Sequence, residues 1–383
     1  MKIEQVIWKK ANNNQIIARS EDFNLAQLVL VFGARDLISR NDYMDSIQKK
    51  YPNAYIIGCS TAGEIIGNQV LDGTLTTTAI NFEHTTVENF SVKVKNFEDS
   101  YEVGATLAEK LNKEHLAHVF VLSEGLNIHG SELVRGIKEH LPAHISITGG
   151  MAGDDVLFGK TYVIANGCVD ENIVSTLGFY GDRIKIGYGS MGGWDSFGPE
   201  RLITKSQNNI LYEIDGKSAL DLYKLYLGDY AQGLPSTGLR FPLSIRLSSS
   251  EDGVVRTLLK INEEDQGMIF AGDVPEGHYA KFMKANFERL INGALEAAEL
   301  SLQGIGSTPT LAILISCIGR KMMLKQRIEE EVEAVRDILG DDCIFTGFYS
   351  YGEISPNIRN INSKEVECKF HNQTMTITTI KEI

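Results

Sequence analysis

The sequence predicts a mixed α/β (α+β) protein of β-rich sheets flanked by helices, built from duplicated strand-helix-strand units, and three observations carry that prediction. An octapeptide recurs, GCSTAGEI at residues 58–65 and GFYSYGEI at residues 347–354. Each copy follows the same succession of apolar run, amphipathic segment and second apolar run, and a third unit of that kind lies between them. Elsewhere, short runs rich in Thr, Val, Ile and Phe alternate with Gly, Asn and Asp turns.

In the first unit LVLVFGA (28–34) reads as a buried strand, Ile38, Met44 and Ile47 as the apolar face of a helix, and AYIIGCSTAGEI as the next strand. Residues 74–95 read as a hairpin or meander. The second unit sets VFVLSEGL (119–126) before a helix carrying Leu133, Ile137 and Leu141, and closes on SITGGMAGD (146–154), with Gly153-Asp154 in place of the Gly-Glu pair. Strands follow at KTYVIANGCV, TLGFYGDRIKIGYGS, RLITKSQ, FPLSIRLS, GVVRTLLKINEED and GMIFAGDV. A long helix is expected between His278 and Gly304, striped by Phe282, Phe287, Leu290, Ile291, Ala294, Leu295 and Ala298. The third unit is LAILISCIGR (311–320), a helix with Ile328, Val332, Val335 and Leu339, and CIFTGFYSYGEI. A terminal strand, CKFHNQTMTITTI, carries HNQT inside it. A strand-helix-strand crossover makes each pair of strands parallel and right-handed.

Composition bounds the function. With 43% hydrophobic and 23% charged residues and 8 prolines, the chain buries a large core, and its length suits about two domains. A net charge of -13 and a pI near 5.2 argue against nucleic acid or anionic membrane as partner, since both need a cationic face. The start lacks the apolar core of a signal peptide and no apolar run approaches the ~20 residues of a membrane span, so a cytoplasmic protein is expected. Five scattered cysteines without a C-x-x-C pair read as reduced thiols packed like small hydrophobes.

Catalytic signatures fail one by one. GYGSMG (187–192) fits G-x-G-x-x-G, but the GWDSFGP that follows Met191-Gly192 cannot open the helix a dinucleotide site requires. No phosphate-binding G-x-x-x-x-G-K-[S/T] occurs, and neither Ser60 nor Ser350 sits in a nucleophile elbow. Cys59 or Cys317 as a nucleophile has no histidine paired with it by pattern. The histidines show no metal-ligand spacing, although a single axial histidine on haem would leave none. Polar residues at the carboxyl ends of strands form a candidate ligand crevice: Cys59, Ser60, Ser123, Glu124, Cys317 and Arg320. Against this stands the reading that the repeated glycines and acids are loop-forming features of a duplicated scaffold.

GCSTAGEI, GGMAGD, YEIDGKSALDLY, FPLSIR, ISCIGR, GFYSYGEISP and HNQT, in this order, resemble the FIST family of bacterial sensory proteins over roughly residues 25–375. The resemblance implies an N-terminal-type domain at 25–219 and a C-terminal-type domain at 220–375. It also implies a cytoplasmic input module, without catalysis, that binds a small ligand and signals in trans to a partner such as a histidine kinase or a cyclic-di-GMP enzyme. The segment from Gly192 to Pro235 is similar to a haem-binding, nitric-oxide-sensing subgroup. That likeness implies a haem cofactor with His371, His129 and His144 as axial candidates, and Asn372 beside the first of them. The alternative is a metabolite such as an amino acid, held by Arg320, Glu64, Glu353, Ser60 and Tyr349; a cysteine-dependent enzyme is the rival of a different class. A homodimer is compatible with the sequence, though no coiled-coil heptad specifies one.

Overall fold

The continuous apolar runs of the three units fold as buried parallel strand pairs, each closed by an amphipathic crossover helix. These and the other elements belong to a computed structural model that describes residues 1–8, 15–19, 25–247, 253–357 and 365–383. Leu28–Gly33 pairs in parallel with Tyr55–Ser60, Leu116–Ser123 with Ser146–Met151, and Leu311–Cys317 with Ile344–Ser350. The helices between them are Asn41–Lys50, Gly130–Glu139 and Ile328–Leu339.

Each pair is extended by two more strands in the same order. Antiparallel to the first strand runs Leu75–Asn81, Ile173–Tyr180 or Met375–Glu382, and outside that lies Lys2–Trp8, Thr86–Lys93 or Ile184–Met191. The chain is therefore three repeats of one four-stranded sheet. The supposed hairpin at 74–95 is a bridge between repeats, because Leu75–Asn81 and Thr86–Lys93 belong to different sheets. TLGFYGDRIKIGYGS likewise splits between the second and third repeats, at Ile173–Tyr180 and Ile184–Met191.

The repeats interlock. After its second parallel strand, each sends a short strand to the open edge of another: Glu64–Ile66 pairs with Ile344–Ser350, Glu353–Pro356 with Ser146–Met151, and Val163–Ala165 with Tyr55–Ser60. The octapeptide recurs because each copy is the departure point of a strand exchanged within this ring. Its first glycine is steric. A Cβ at Gly58, Gly149 or Gly347 would overlap the carbonyl oxygen of Val31, Val121 or Leu314 on the adjacent parallel strand. Where the sheets meet, Leu30, Phe32, Phe120, Leu122, Ile315 and Phe348 form one core, with the Phe32 and Phe348 rings 4.7 Å apart. Thr78 bonds Thr346 at 2.9 Å and Thr378 bonds Thr148 at 2.7 Å, satisfying hydroxyls that cross between buried sheets.

Residues 194–285 interrupt the third repeat with a separate antiparallel sheet packed on helix Ala219–Leu227. Here the expected helix at 278–304 is corrected. Tyr279–Ala285 is a strand, in which Ala280 and Phe282 alternate inward, and the helix begins only at Phe287, capped by the Asn286 side chain. Small residues of helix Phe287–Ile305 lie directly on the backbone of Ile184–Met191. A Cβ at Gly187 or Gly189 would overlap Ser301 or Ala297, so GYGSMG owes its glycines to helix packing. HNQT is also relocated. Asn372–Thr374 lie between Cys368–His371 and Met375–Glu382, which enter different sheets.

Candidate functional site: an aromatic cavity over the second repeat

The carboxyl ends of Leu116–Ser123 and Ser146–Met151 carry the loop Glu124–His129 and the turn that begins at Ala152. Glu124 shapes the loop by accepting the N–H groups of Leu126 at 3.0 Å and Asn127 at 2.5 Å, and burial raises its carboxyl pKa. Above these ends the inserted segment sets a roof of Pro235, which precedes the 3-10 turn Ser236–Arg240, Leu239 within that turn, and Leu258 and Phe270 from its strands. Between loop and roof lies a cavity of about 400 Å³, within the range of pockets that hold small organic ligands.

Its walls are aromatic. Phe97, Phe158, Tyr351 and Phe370 come from four separate segments, with Phe158 stacked on Tyr351 at 4.5 Å between ring centroids. Asp154 fixes this wall: it accepts from the Tyr351 hydroxyl, from Arg35 at 3.2 Å, and from the N–H groups of Gly159 at 3.0 Å and Lys160 at 2.9 Å. One buried carboxylate thereby joins all three repeats.

The polar groups are few. Asn209, Ser236 and His129 line the cavity, and no Asp, Glu, Lys or Arg does so among the described residues. His129 precedes helix Gly130–Glu139; its N–H donates to Ser100 at 2.8 Å and its Nε2 lies 2.9 Å from Asp273 Oδ1. Burial would raise the Asp273 carboxyl, yet the His129 hydrogen bond and the Arg256 charge hold it below the ordinary value. His129 Nδ1 is buried without a partner.

Family models for a FIST N domain and a FIST C domain match residues 27–217 and 219–356. The chain belongs to the FIST family. FIST domains are associated with the sensing of small ligands in signal transduction. An uncharacterised protein of Methanocaldococcus jannaschii is 24% identical, over 86% of this chain and 70% of its own length. Among solved structures, a chorismatase aligns with 99% of this chain and 98% of its own at a TM-score of 0.36 and 8% identity. A cyanuric acid hydrolase from A. caulinodans aligns with 78% of this chain and 99% of its own at a TM-score of 0.19 and 9% identity. The boundary between the two FIST regions falls inside the inserted segment, while Ile184–Met191 of the first region pairs with Met375–Glu382 beyond the second.

Of the residues singled out from the FIST sequence, His129 alone lines the aromatic cavity, with Ser123 and Glu124 at the base of its loop. Arg320 is fully buried: it donates to Glu331 Oε2 through Nε at 3.0 Å and Nη2 at 2.9 Å, and to the carbonyls of Leu290 at 2.7 Å and of Gly192. Tyr349 and Ser316 complete the Glu331 carboxylate at 2.5 and 3.1 Å. Glu64 and Glu353 mirror each other. Glu64 accepts from Thr61 and Thr74, Glu353 from Ser350 and Thr374, and burial raises both to about 7 despite those donors. Glu64 also borders a narrow cleft of about 170 Å³. Ser60 accepts the Tyr162 N–H at 2.9 Å, and Cys59 and Cys317 are buried, their thiols pushed well up by desolvation. Asn372 is buried with both amide atoms unpartnered.

The haem expectation meets a poor fit in these residues. His144 is exposed on a turn. His371 has the neutral imidazole that ligation needs, its pKa lowered to about 4 by burial and the Arg256 charge, but it borders a cleft of only about 240 Å³, below the ~300 Å³ of organic-ligand pockets. In His129 one ring nitrogen is engaged by Asp273 and the other is closed off. Among the described residues no three His, Cys, Asp or Glu side chains form a metal-holding group, and no helix is long and apolar enough to cross a membrane.

The sequence reading missed the aromatics. Phe97, Phe158, Phe270 and Phe370 resemble ordinary core residues in a β-rich chain. Tyr351 alone left a signal, standing in the second octapeptide where the first has Ala62.

Proposed function

We propose that this FIST protein is a sensor whose ligand occupies the aromatic cavity between the second repeat and the inserted sheet. The observation that carries the reading is the construction of the cavity. Two bodies of the fold each supply half of an apolar enclosure, so an occupant gains contacts with both and stabilises their closed arrangement. The ligand class favoured is a small, neutral, largely aromatic or aliphatic molecule with one or two hydrogen-bonding groups. A free amino acid fits less well, since its two charges would be desolvated against a lining without ionised anchors. Binding without turnover is the reading for this site: the two cysteines once considered as nucleophiles are buried in protonated form. Output passes to a separate signalling protein that distinguishes the filled from the empty arrangement.

The test is a thermal-shift screen of small neutral metabolites on the wild-type chain and on Ser236→Trp, which places an indole at the exposed edge of the cavity. A true ligand raises the wild-type melting temperature in proportion to RT ln(1 + [L]/Kd) and leaves the variant unmoved. Hits that stabilise both proteins equally would place the ligand elsewhere.

A further inference from the structure

Phe370 also lines a second cleft, of about 380 Å³, between helix Gly130–Glu139 and the strands Leu243–Arg246, Val254–Arg256 and Cys368–His371. In a chain of net charge -13 this cleft gathers Arg135, Lys138, Arg246, Arg256 and Lys369, against Glu139 and Asp273. Most of these cations are already engaged. Arg135 meets Glu132 at 2.5 Å, Arg246 meets Glu200 at 2.6 Å and Lys369 meets Glu367 at 3.0 Å, while the Lys138 ammonium donates to the carbonyls of Ala143 and Ile145.

Arg256 differs. It is 7% exposed, and its Nε donates to the Asp273 carbonyl at 3.0 Å and its Nη1 to those of Phe370 at 3.0 Å and Val255 at 3.3 Å. All three acceptors are backbone. No carboxylate among the described residues forms an ion pair with this guanidinium, and none supplies an acceptor to Nη2. Asp273, whose charge acts on it, bonds His129 rather than the guanidinium. Burial lowers the Arg256 pKa to about 10, which leaves it charged at neutral pH. A buried cation whose hydrogen-bond partners are all carbonyls has only the indirect Asp273 charge, and no bonded carboxylate, to offset its desolvation.

We propose that this cleft is an oxyanion site, in which Arg256 receives a phosphate or carboxylate group and Arg246 and Lys369, each shared with a glutamate, line the rim. The planar fork of arginine suits two parallel hydrogen bonds to such a group. The oxyanion comes either from a phosphorylated small molecule or from a modified side chain of a partner protein, and the chemistry at Arg256 is the same. The assignment is independent of the aromatic cavity, whose occupant is neutral.

Calorimetric titration of the full chain with inorganic phosphate, acetate and a phosphoserine peptide, at matched ionic strength against chloride, tests the assignment. Saturable 1:1 binding of at least one oxyanion is expected, weakened tenfold or more in Arg256→Gln and partly retained in Arg256→Lys. If Arg256→Gln does not fold, the rim variant Arg246→Gln/Lys369→Gln serves, with an expected loss of threefold or more. Tighter binding of the peptide than of phosphate assigns the source to a protein; equal or weaker binding assigns it to a small molecule. No saturable binding of any of the three, or affinities unchanged in the variants, overturns the proposal.

Discussion

Arg320→Met separates a ligand anchor from a structural ion more sharply than any other single change. In the folded chain its guanidinium supplies two of the four hydrogen bonds on the buried Glu331 carboxylate and one each to the Leu290 and Gly192 carbonyls. Breaking a buried ion pair from one side costs about 3–5 kcal/mol, and two orphaned carbonyls add about 1 kcal/mol each. With an m-value of roughly 3 kcal/mol/M for a chain of this size, the urea midpoint should fall by about 2 M. Replacing both charges, as Arg320→Met/Glu331→Leu, should return the ion-pair part and leave the two carbonyls together with the Tyr349 and Ser316 hydroxyls unpaired, about 4 kcal/mol below wild type. The assay is urea unfolding followed by far-ultraviolet circular dichroism. An Arg320→Met protein with the wild-type midpoint and no ligand response would refute the structural account and restore Arg320 as an anchor.

Three further outcomes follow from the same geometry. Gly58→Ala or Gly347→Ala forces a methyl group against a carbonyl of the neighbouring strand and should lower stability by about 2–3 kcal/mol; an unchanged melting temperature would contradict the steric role. Glu64 and Glu353 have folded pKa values raised to about 7, so the folded state binds more protons than the unfolded one between about pH 4.5 and 7. Stability should therefore decline across that window as pH rises, by up to roughly 3 kcal/mol per group, and Glu64→Gln/Glu353→Gln should flatten the profile, whereas a slope that survives the double variant would count against both shifts. Haemin titration should yield no saturable stoichiometric Soret band; a band abolished by His129→Ala or His371→Ala would show that the donor geometry rearranges to admit haem.

The local layer of this fold was legible because it is written in short-range patterns. Continuous runs such as LVLVFGA, VFVLSEGL and LAILISCIGR gave strands to within a few residues of their ends, and the three- and four-residue steps of Ile328, Val332, Val335 and Leu339 gave a helix. Pairing between repeats leaves no such trace, so neighbours in sequence like Leu75–Asn81 and Thr86–Lys93 were joined when they belong apart. The helix at 278–304 began too early because Phe282 and Phe287 fit a helical stripe, while the alternation across Tyr279–Ala285 fits a strand equally well. The crevice was sought at the carboxyl ends of parallel strands, where the aromatic cavity also lies. Its lining was not found, since polar side chains such as Arg320 and Glu353 suggest a site in one dimension and turn out to be engaged by protein partners in three.

The circular exchange of strands also decides how this polypeptide could be divided. A cut between the two FIST regions would separate Glu64–Ile66 from Ile344–Ser350, Glu353–Pro356 from Ser146–Met151, and Ile184–Met191 from Met375–Glu382. Neither fragment would then own a finished edge, and each would display the row of backbone donors and acceptors that the other was built to meet. Fragments produced separately are thus set up to complement one another on mixing, and two intact chains at high concentration to trade the same strands between molecules.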